Sequence, residues 1–213
     1  GLGTDSLNSI SDGLWNTAVG NSVLKSTVGG SGDEGNYNTG IGTKSLEANI
    51  TGYSNTGVGS YALKENTTGY RNTAIGIDAL KNNLTGTTNS ALGVHAGRDV
   101  TGSGNVLLGF EAGKGQTAIS NKLYIANSTT NNLITGDFST GTVTFNDAFT
   151  FPTADGTANQ ILKTDGAGNL SWVTSTDSDT TYTAGTNITI NGSNVISATD
   201  TNTTYISSDF THD

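Results

Sequence analysis

The sequence predicts an all-β fibre of stacked repeats followed by a β-rich shaft, and three observations support this prediction. A short phrase that ends in glycine recurs through the first half of the 213-residue chain. Within each phrase, branched and small residues alternate with a period of two, which is typical of a strand. Each phrase is followed by a polar stretch that ends in a Thr-Gly turn or a close variant of it. A fixed period of this kind indicates a solenoid or β-roll in which consecutive copies stack on each other.

The repeat is clearest between Asn72 and Gly76, which reads Asn-Thr-Ala-Ile-Gly. Counting the Asn as position 0, the phrase begins at Asn16, Asn38, Asn55, Asn72, Asn89 and Asn105. The glycine at position 4 closes it at Gly20, Gly42, Gly59, Gly76, Gly93 and Gly109, and Gly3 closes an earlier partial copy. The intervals between the numbers of successive closing glycines are 17, 22, 17, 17, 17 and 16. The run Gly-Gly-Ser-Gly-Asp-Glu-Gly at residues 29–35 accounts for the longer interval and is predicted to form a protruding loop.

Three positions of the repeat are expected to be structural. Position 8 carries an apolar anchor that one phrase cannot bury alone but a stack can. The anchors are Leu7, Leu24, Leu46, Leu63 and Leu80, with Gly97 and Gly113 at this position in the last two copies. Stacking places Asn over Asn, which predicts a hydrogen-bonded amide ladder. The glycine at position 4 predicts a corner or a close contact with a neighbouring chain.

The composition favours an oligomer. Leu, Ile, Val and Phe together number 44 of 213 residues, about 21%, while charged residues make up only 13% and glycine numbers 30. A single chain this poor in large apolar groups has little burial to offset its ordering entropy. We therefore expect neighbouring copies to supply part of the buried surface.

Several classes of function are disfavoured. The net charge of −9 argues against nucleic acid, because phosphate binding depends on Lys and Arg. The chain has no Cys for disulfides or thiolate metal sites. No apolar run approaches the roughly 20 residues of a membrane helix, so we expect no membrane insertion. The chain opens on Gly1 without Met, which suggests a piece of a longer protein.

The Asn-Thr-Ala-Ile-Gly and Asn-Ser-Ala-Leu-Gly phrases resemble the repeats in the head domains of trimeric autotransporter adhesins. They are more similar to repeats in tail-fibre proteins of phages and phage-like contractile injection systems. The resemblance implies a structural fibre protein for attachment and host-surface recognition, located in a virion tail or an extracellular appendage. The implied partners are two further copies in a homotrimer, tail or baseplate proteins, and a cell-surface glycan or protein receptor. It implies no catalytic residue, no cofactor and no metal, so we expect no enzymatic activity.

Three regions are predicted: a repeat β-roll at residues 1–116, a β-rich connector at residues 117–173 and a Thr/Asp-rich β shaft at residues 174–213. The connector contains strand-like segments near residues 121–127, 133–138 and 142–145. Residues 156–173 resemble the connector that precedes a C-terminal chaperone in many tail fibres. In the shaft, apolar and polar residues alternate around an Asn-Gly-Ser-Asn turn between Asn187 and Ile196, which predicts a hairpin.

Residues with site-forming chemistry are few. Tyr53, Tyr61 and Tyr70 are candidate receptor contacts, because tyrosines stack on sugars when exposed, although packing between coils is the favoured interpretation. His95 would bind a metal only if three copies met on a trimer axis, and we predict no metal there. The acidic residues of the repeat region do not recur at one position, which argues against the paired carboxylates of a polysaccharide-cleaving enzyme.

Three rival functions remain open. The first is a bacterial trimeric surface adhesin, which a membrane anchor in further C-terminal sequence would identify. The second is an ice-binding solenoid, since stacked Thr columns template water, although the repeat offers one Thr per coil rather than a regular Thr-x-Thr face. The third is a polysaccharide-cleaving spike, for which substrate turnover would be the test.

Overall fold

The computed structural model describes residues 2–8 and 13–175, together with the backbone of residues 188–190 and 196–198. Within these residues all regular secondary structure is β, with no helix. One copy of the sequence repeat forms one coil, and the coils stack into a β-solenoid, which confirms the predicted all-β stacked-repeat fold. Its first six strands are β1 Thr17–Val19, β2 Thr39–Ile41, β3 Thr56–Val58, β4 Thr73–Ile75, β5 Ser90–Leu92 and β6 Val106–Leu108.

These strands are parallel and in register, so each repeat position lies directly over the same position of the next coil. Thr39 pairs with Thr56, for example, and Thr56 pairs with Thr73. The stack continues beyond residue 116 into β7 (Lys122–Ala126), which pairs in parallel with β6. Lys122 occupies position 0 of this coil, because its backbone N donates to Asn105 Oδ1 at 3.0 Å. The backbone pairing of this coil is therefore the same as in the earlier coils, although Lys122 replaces the Asn of position 0 and Ala126 replaces the closing Gly of position 4.

Beyond β7 the same sheet becomes antiparallel. The strands β8 Asn132–Asp137, β9 Thr142–Phe145 and β10 Phe149–Thr150 complete a ten-stranded sheet in chain order. A separate hairpin is formed by β11 Gln160–Thr164 and β12 Leu170–Thr174. The strands β13 Ile188–Ile190 and β14 Ile196–Ala198 pair antiparallel, which confirms the predicted hairpin pairing. Its turn and the rest of the predicted shaft from residue 176 onward lie outside the described residues.

The core is a narrow column built chiefly from repeat positions 2, 7 and 8. Position 2 points inward and is small in the first five coils that have a strand, where it is Ala18, Gly40, Gly57, Ala74 and Ala91. The leucines at position 8 from Leu24 to Leu80 are fully buried, as expected for the anchors. Burying a Leu side chain stabilises the fold by about 1.5–3 kcal/mol. The column of leucines is therefore the main apolar contribution of each coil.

These leucines occupy a backbone conformation that is unfavourable for them. At position 8, φ is 50° for Leu24, 52° for Leu63 and 49° for Leu80. A left-handed conformation costs a non-glycine residue about 1–2 kcal/mol, so part of the gain from burial is lost. Gly97 and Gly113 take the same conformation, with φ of 59° and 64°, and avoid this cost.

Leu107 fills the core volume that the two glycines leave. It stands at position 2 of its coil, where the earlier coils carry Gly or Ala, and it is fully buried. A Cβ built on Gly97 would lie 2.4 Å from Leu107 Cδ1, and one on Gly113 would lie 2.5 Å from Leu107 Cδ2. In this part of the stack the large apolar residue therefore stands at position 2, in the strand, and not at position 8, in the left-handed turn. The core remains filled.

The glycine at position 4 is required by a close contact within the chain. In Gly76, φ is +136°, and a Cβ would lie 2.3 Å from the carbonyl oxygen of Gly93 in the next coil. The same contact joins Gly42 to Gly59 and Gly59 to Gly76. The sequence left open a corner or a contact with a neighbouring chain, and the partner proves to be the following coil of the same chain.

The Asn residues at position 0 form the predicted ladder. Asn72 Nδ2 donates to Asn55 Oδ1 at 3.1 Å and to the carbonyl oxygen of Gly86 at 2.8 Å. Its own Oδ1 accepts from the backbone N of Asn89 at 3.0 Å and from Asn89 Nδ2 at 3.2 Å. The ladder residues from Asn38 to Asn105 are fully buried. The amide therefore satisfies its own polar atoms, a turn carbonyl and the backbone N–H of the next Asn.

A second, shorter ladder stands at position 11. Asn66 Nδ2 donates to Asn49 Oδ1 at 2.8 Å, and Asn83 Nδ2 donates to Asn66 Oδ1 at 3.3 Å. Each of these amides also donates to the Gly three residues further on, for example Asn66 to the Gly69 carbonyl at 3.0 Å. Val100, also buried, takes this position in the next coil and ends the ladder.

Replacing Asn72 by Asp tests the first ladder. The substitution keeps the shape but removes both Nδ2 donors and places a carboxylate against Asn55 Oδ1 and the Gly86 carbonyl. We expect a loss of about 3 kcal/mol in the free energy of unfolding at pH 7, because the carboxylate oxygen that replaces Nδ2 is buried against two acceptors and has no donor of its own. The loss will shrink in acid, where a protonated carboxyl regains one donor. Chemical denaturation of Asn72→Asp is the measurement, with the exposed Asn21→Asp as control; equal stability of both variants at pH 7 would contradict the ladder's role.

The compensation between Leu107 and the two glycines is tested by a double-mutant cycle. Leu107→Ala should cost about 2–5 kcal/mol, because it opens a cavity in the core. Gly97→Leu alone should also destabilise, since its Cβ meets Leu107. The combination restores the pattern of the earlier coils and should recover part of the loss, which appears as a favourable coupling energy. Strictly additive losses in urea unfolding would show that the two sites do not share one volume.

Candidate functional site

The outward face of the sheet carries an apolar ridge at repeat position 3. Directly paired residues of neighbouring strands point to the same side of a sheet, so the register defines this column. Pairing runs in order through Val19, Ile41, Val58, Ile75, Leu92, Leu108, Ile125, Ile134, Phe145 and Phe149. We call these ten residues the apolar ridge. Every strand of the ten-stranded sheet contributes one residue, and each of the ten is a large apolar residue.

The ridge remains accessible to solvent in the single chain. Ile75 is 39% exposed and Leu92 is 50% exposed, against complete burial of the leucine anchors on the other side of the strands. The strands β1, β4, β5 and β6 share one pattern, in which positions 1 and 3 are exposed and position 2 is buried. The alternation of small and branched residues thus places the small side inside and the branched side outside.

Uncharged columns flank the ridge. Position 1 carries Thr17, Thr39, Thr56 and Thr73 in register, followed by Ser90 and Val106. Position 5 is polar but uncharged in the early coils and becomes apolar and exposed at Ile77, Val94 and Phe110. Positions 1, 3 and 5 contain no Asp, Glu, Lys or Arg between residues 17 and 110. In a chain of net charge −9, this face is therefore neutral.

Charged side chains gather at other positions of the coil, chiefly 6 and 9. Lys44 pairs with Glu47 at 3.3 Å, and Lys81 pairs with Asp78 at 3.6 Å. Lys114 also pairs with Glu111, and this hydrogen bond is the main cause of the lowered pKa of Glu111. Because such partly exposed pairs contribute only about 0–1 kcal/mol each, we assign them solubility rather than stability.

His95 lies within this charged strip. The sequence allowed a metal site here only if three copies of His95 met on a trimer axis. Its Nδ1 is 3.4 Å from Glu111 Oε1, and its Nε2 is 3.8 Å from Asp78 Oδ2. Among the described residues, no group of three or more His, Cys, Asp or Glu is placed to hold a metal ion. His95 thus lies between the acidic side chains of two neighbouring coils, Asp78 and Glu111.

The three candidate receptor tyrosines are not brought together into one site. Tyr53 and Tyr70 stack on each other between neighbouring coils, with ring centroids 4.7 Å apart and planes inclined by 5°. Arg71 lies over the Tyr70 ring at 5.8 Å from its centroid. Tyr61 stands apart, 37% exposed, with Lys81 Nζ 5.4 Å from its ring centroid. A role of these tyrosines in receptor contact stays a prediction.

An ion pair joins the last parallel strand to the first antiparallel one. Lys122 and Asp137 are register partners across β7 and β8, and Lys122 Nζ contacts Asp137 Oδ2. This hydrogen bond, together with those from Ser139, holds the pKa of Asp137 well below its ordinary value. The pair lies at the point where the sheet changes from parallel to antiparallel pairing.

Comparison with family models, curated proteins and solved structures found no match to this chain. Among the described residues, no helix is long and apolar enough to span a membrane. The geometry of the ridge is thus the observation from which a function can be argued. Sequence reasoning identified the alternating phrase but missed that its branched side faces outward, although an apolar residue at position 3 of every copy was the available signal.

The Asp137 ion pair makes part of the stability depend on pH. Because the pKa of Asp137 is lower in the folded chain than in the unfolded one, its contribution is full above the unfolded value near 3.8. It is lost as the pH falls from there through the lowered folded pKa. We expect Asp137→Asn to unfold more easily than the parent at pH 7 and to approach the parent's stability in stronger acid. Thermal unfolding between neutral and strongly acidic pH measures this, with Asp33→Asn on the exposed loop as control; a constant difference would contradict it.

Proposed function

We propose that this chain is a structural module of an elongated homotrimeric attachment fibre, of the kind found in phage and phage-like tails. The observation that carries the proposal is the apolar ridge: ten large apolar residues in line, flanked by uncharged columns, on a chain whose charged side chains lie at other positions of the coil. A second and a third copy cover most of this face in the proposed assembly. A bacterial trimeric surface adhesin would use the same contact.

The dimensions of the face support an interchain contact. Ten strands at about 4.8 Å spacing and five residues at about 3.3 Å give a strip roughly 43 Å long and 13 Å wide. Its projected area, on the order of 500–600 Å², is at the upper end of the apolar patch on a typical monomer. It approaches the roughly 800 Å² that each partner buries in a stable interface. The number of copies, three, rests on the resemblance of the repeats.

A flat, periodic face also favours a contact between identical chains. Neighbouring residues of the ridge are one strand spacing apart in every copy. The ridge residues of two parallel copies can therefore contact each other in register. The charged strip lies at repeat positions 6 and 9, outside the face, and remains in solvent in such an assembly. A rod of stacked coils suits attachment, because it would hold a receptor-binding end away from the body that bears it.

Substitution on the ridge tests the assembly. Light scattering of the parent chain should give three times the 21.7 kDa mass of one chain. Ile75→Asp should shift the mass toward a single chain, because a carboxylate would be buried without a partner at the interface. Its circular dichroism should stay unchanged, since Ile75 is exposed in the isolated solenoid. The matched control is Leu84→Asp, a similarly exposed aliphatic residue off the ridge, which should leave the mass unchanged. A folded parent with the mass of one chain would refute the trimer.

Ice binding is the second candidate, and the in-register Thr column beside the ridge favours it. Four Thr residues at one strand spacing, next to aliphatic side chains, form a flat and regular surface of methyl and hydroxyl groups. The column ends after Thr73, where Ser90 and Val106 follow. Thermal hysteresis by a folded monomer would favour this function over the fibre, because both functions use the same face.

A further inference from the structure

A half-open cavity of about 410 Å³ lies where the solenoid changes to antiparallel hairpins. It forms at the carboxyl ends of β6 and β7, under the turn that connects β7 to β8. The pairing of these strands shifts register between Ile125 and Ala126, so the turn departs from the path of the earlier coils. Ser128 Oγ accepts from the backbone N of Asn131 at 3.0 Å and closes the turn. The cavity therefore lies at the point where the topology of the sheet changes.

The lining combines an aliphatic surface with side-chain amides. Leu133 and two residues of the apolar ridge, Leu108 and Ile125, supply the large apolar side chains, so this site requires that the partner copies leave this end of the ridge uncovered. Gly109, Ala126 and four asparagines, Asn127, Asn131, Asn132 and Asn146, complete the lining. No Asp, Glu, Lys or Arg side chain belongs to it. The volume falls within the range of about 300–1,000 Å³ that is usual for small-ligand sites.

The amides are available to a ligand. Asn132 Nδ2 donates to Asp147 Oδ2 at 3.2 Å, which fixes the orientation of that amide. Within the described part of the chain, the side chains of Asn127, Asn131 and Asn146 make no hydrogen bond. Each amide offers donors and an acceptor, which suits a hydroxyl group because a hydroxyl both donates and accepts. This contrasts with the ladder amides, whose hydrogen bonds are directed along the stack.

We propose that this cavity binds a neutral saccharide unit. The aliphatic surface suits the C–H face of a pyranose ring, and the amides suit its hydroxyl groups. The absence of charged lining groups disfavours phosphate, carboxylate and cationic ligands. A purely apolar ligand is disfavoured because it would leave several amides without partners. The inference rests on the attachment role proposed above and specifies the class of receptor that one part of the fibre would contact.

The test is a titration of the whole 213-residue chain with methyl glycosides of neutral hexoses and N-acetylhexosamines, followed by saturation-transfer NMR and calorimetry. Asn131→Ala and Asn146→Ala should each weaken binding by about tenfold or more, as expected when a hydrogen bond to a buried ligand group is lost. Both residues are exposed, so the fold should be retained. Asn21→Ala, an exposed asparagine in a distant coil, is the control and should bind like the parent.

Three results would overturn the proposal: no neutral glycoside binds, the Asn131 and Asn146 variants bind like the parent, or sialylated glycosides bind in preference to neutral ones. The proposal would also be overturned if a second copy of the chain fills the cavity. In that case the parent binds no saccharide, and the mass measured by light scattering falls when Asn131 is replaced. Light scattering of the parent separates this proposal from the fibre. A trimer that binds no saccharide refutes the cavity site alone, and a monomer that binds one refutes the trimer alone.

Discussion

The fold depends on one constraint, which is that every coil must repeat the hydrogen bonding of its neighbour at a single strand spacing. The Asn amide at position 0 meets this constraint because it accepts on its oxygen and donates from its nitrogen along the same axis. In Asn72 the amide bridges Asn55 below, Asn89 above and the Gly86 turn carbonyl beside it. Asp would lack the donor, and Ser lacks a second polar atom with which to reach the turn. A fully buried polar column is stable only because every member is satisfied.

The same spacing explains the small residues. At position 4, backbone from consecutive coils approaches so closely that a Cβ on Gly76 would overlap the Gly93 carbonyl. At position 2, Gly or Ala leaves room for the leucine anchor from position 8. The coil is thin, so its interior holds one leucine per turn in the coils from Leu24 to Leu80. Leu107 obeys this rule in a different way, since it supplies the large residue from position 2 while Gly97 and Gly113 supply the space.

A thin interior leaves many apolar residues outside. The strands are three residues long in the regular coils, and only the central residue of each points inward. The other two must face outward, and their chemistry is therefore free to serve assembly or surface binding. The uncharged ridge and the charged strip occupy different positions of the coil, so the chain presents one uncharged face and one charged strip.

The sequence alone determined the architecture. The recurring Asn, Gly and Leu predicted stacked β coils, a hydrogen-bonded amide ladder and apolar anchors, because in-register stacking makes every structural requirement recur at one interval. It also predicted the hairpin pairing of Ile188–Ile190 with Ile196–Ala198. The coil at Lys122–Ala126 was not identifiable as a repeat, because the phrase is lost there and only the backbone pairing persists.

The tertiary structure decided which side of each strand is buried, and with it the location of the ridge. Alternation gives two faces but does not say which is inside; the close contact between Gly carbonyls and the volume of the leucine anchors force the small side inward. It also decided that Tyr53 packs on Tyr70, and that a cavity opens beside Asn131 where the sheet reverses. These features join residues from different coils and hairpins, and their distances depend on how the coils are packed rather than on any local pattern.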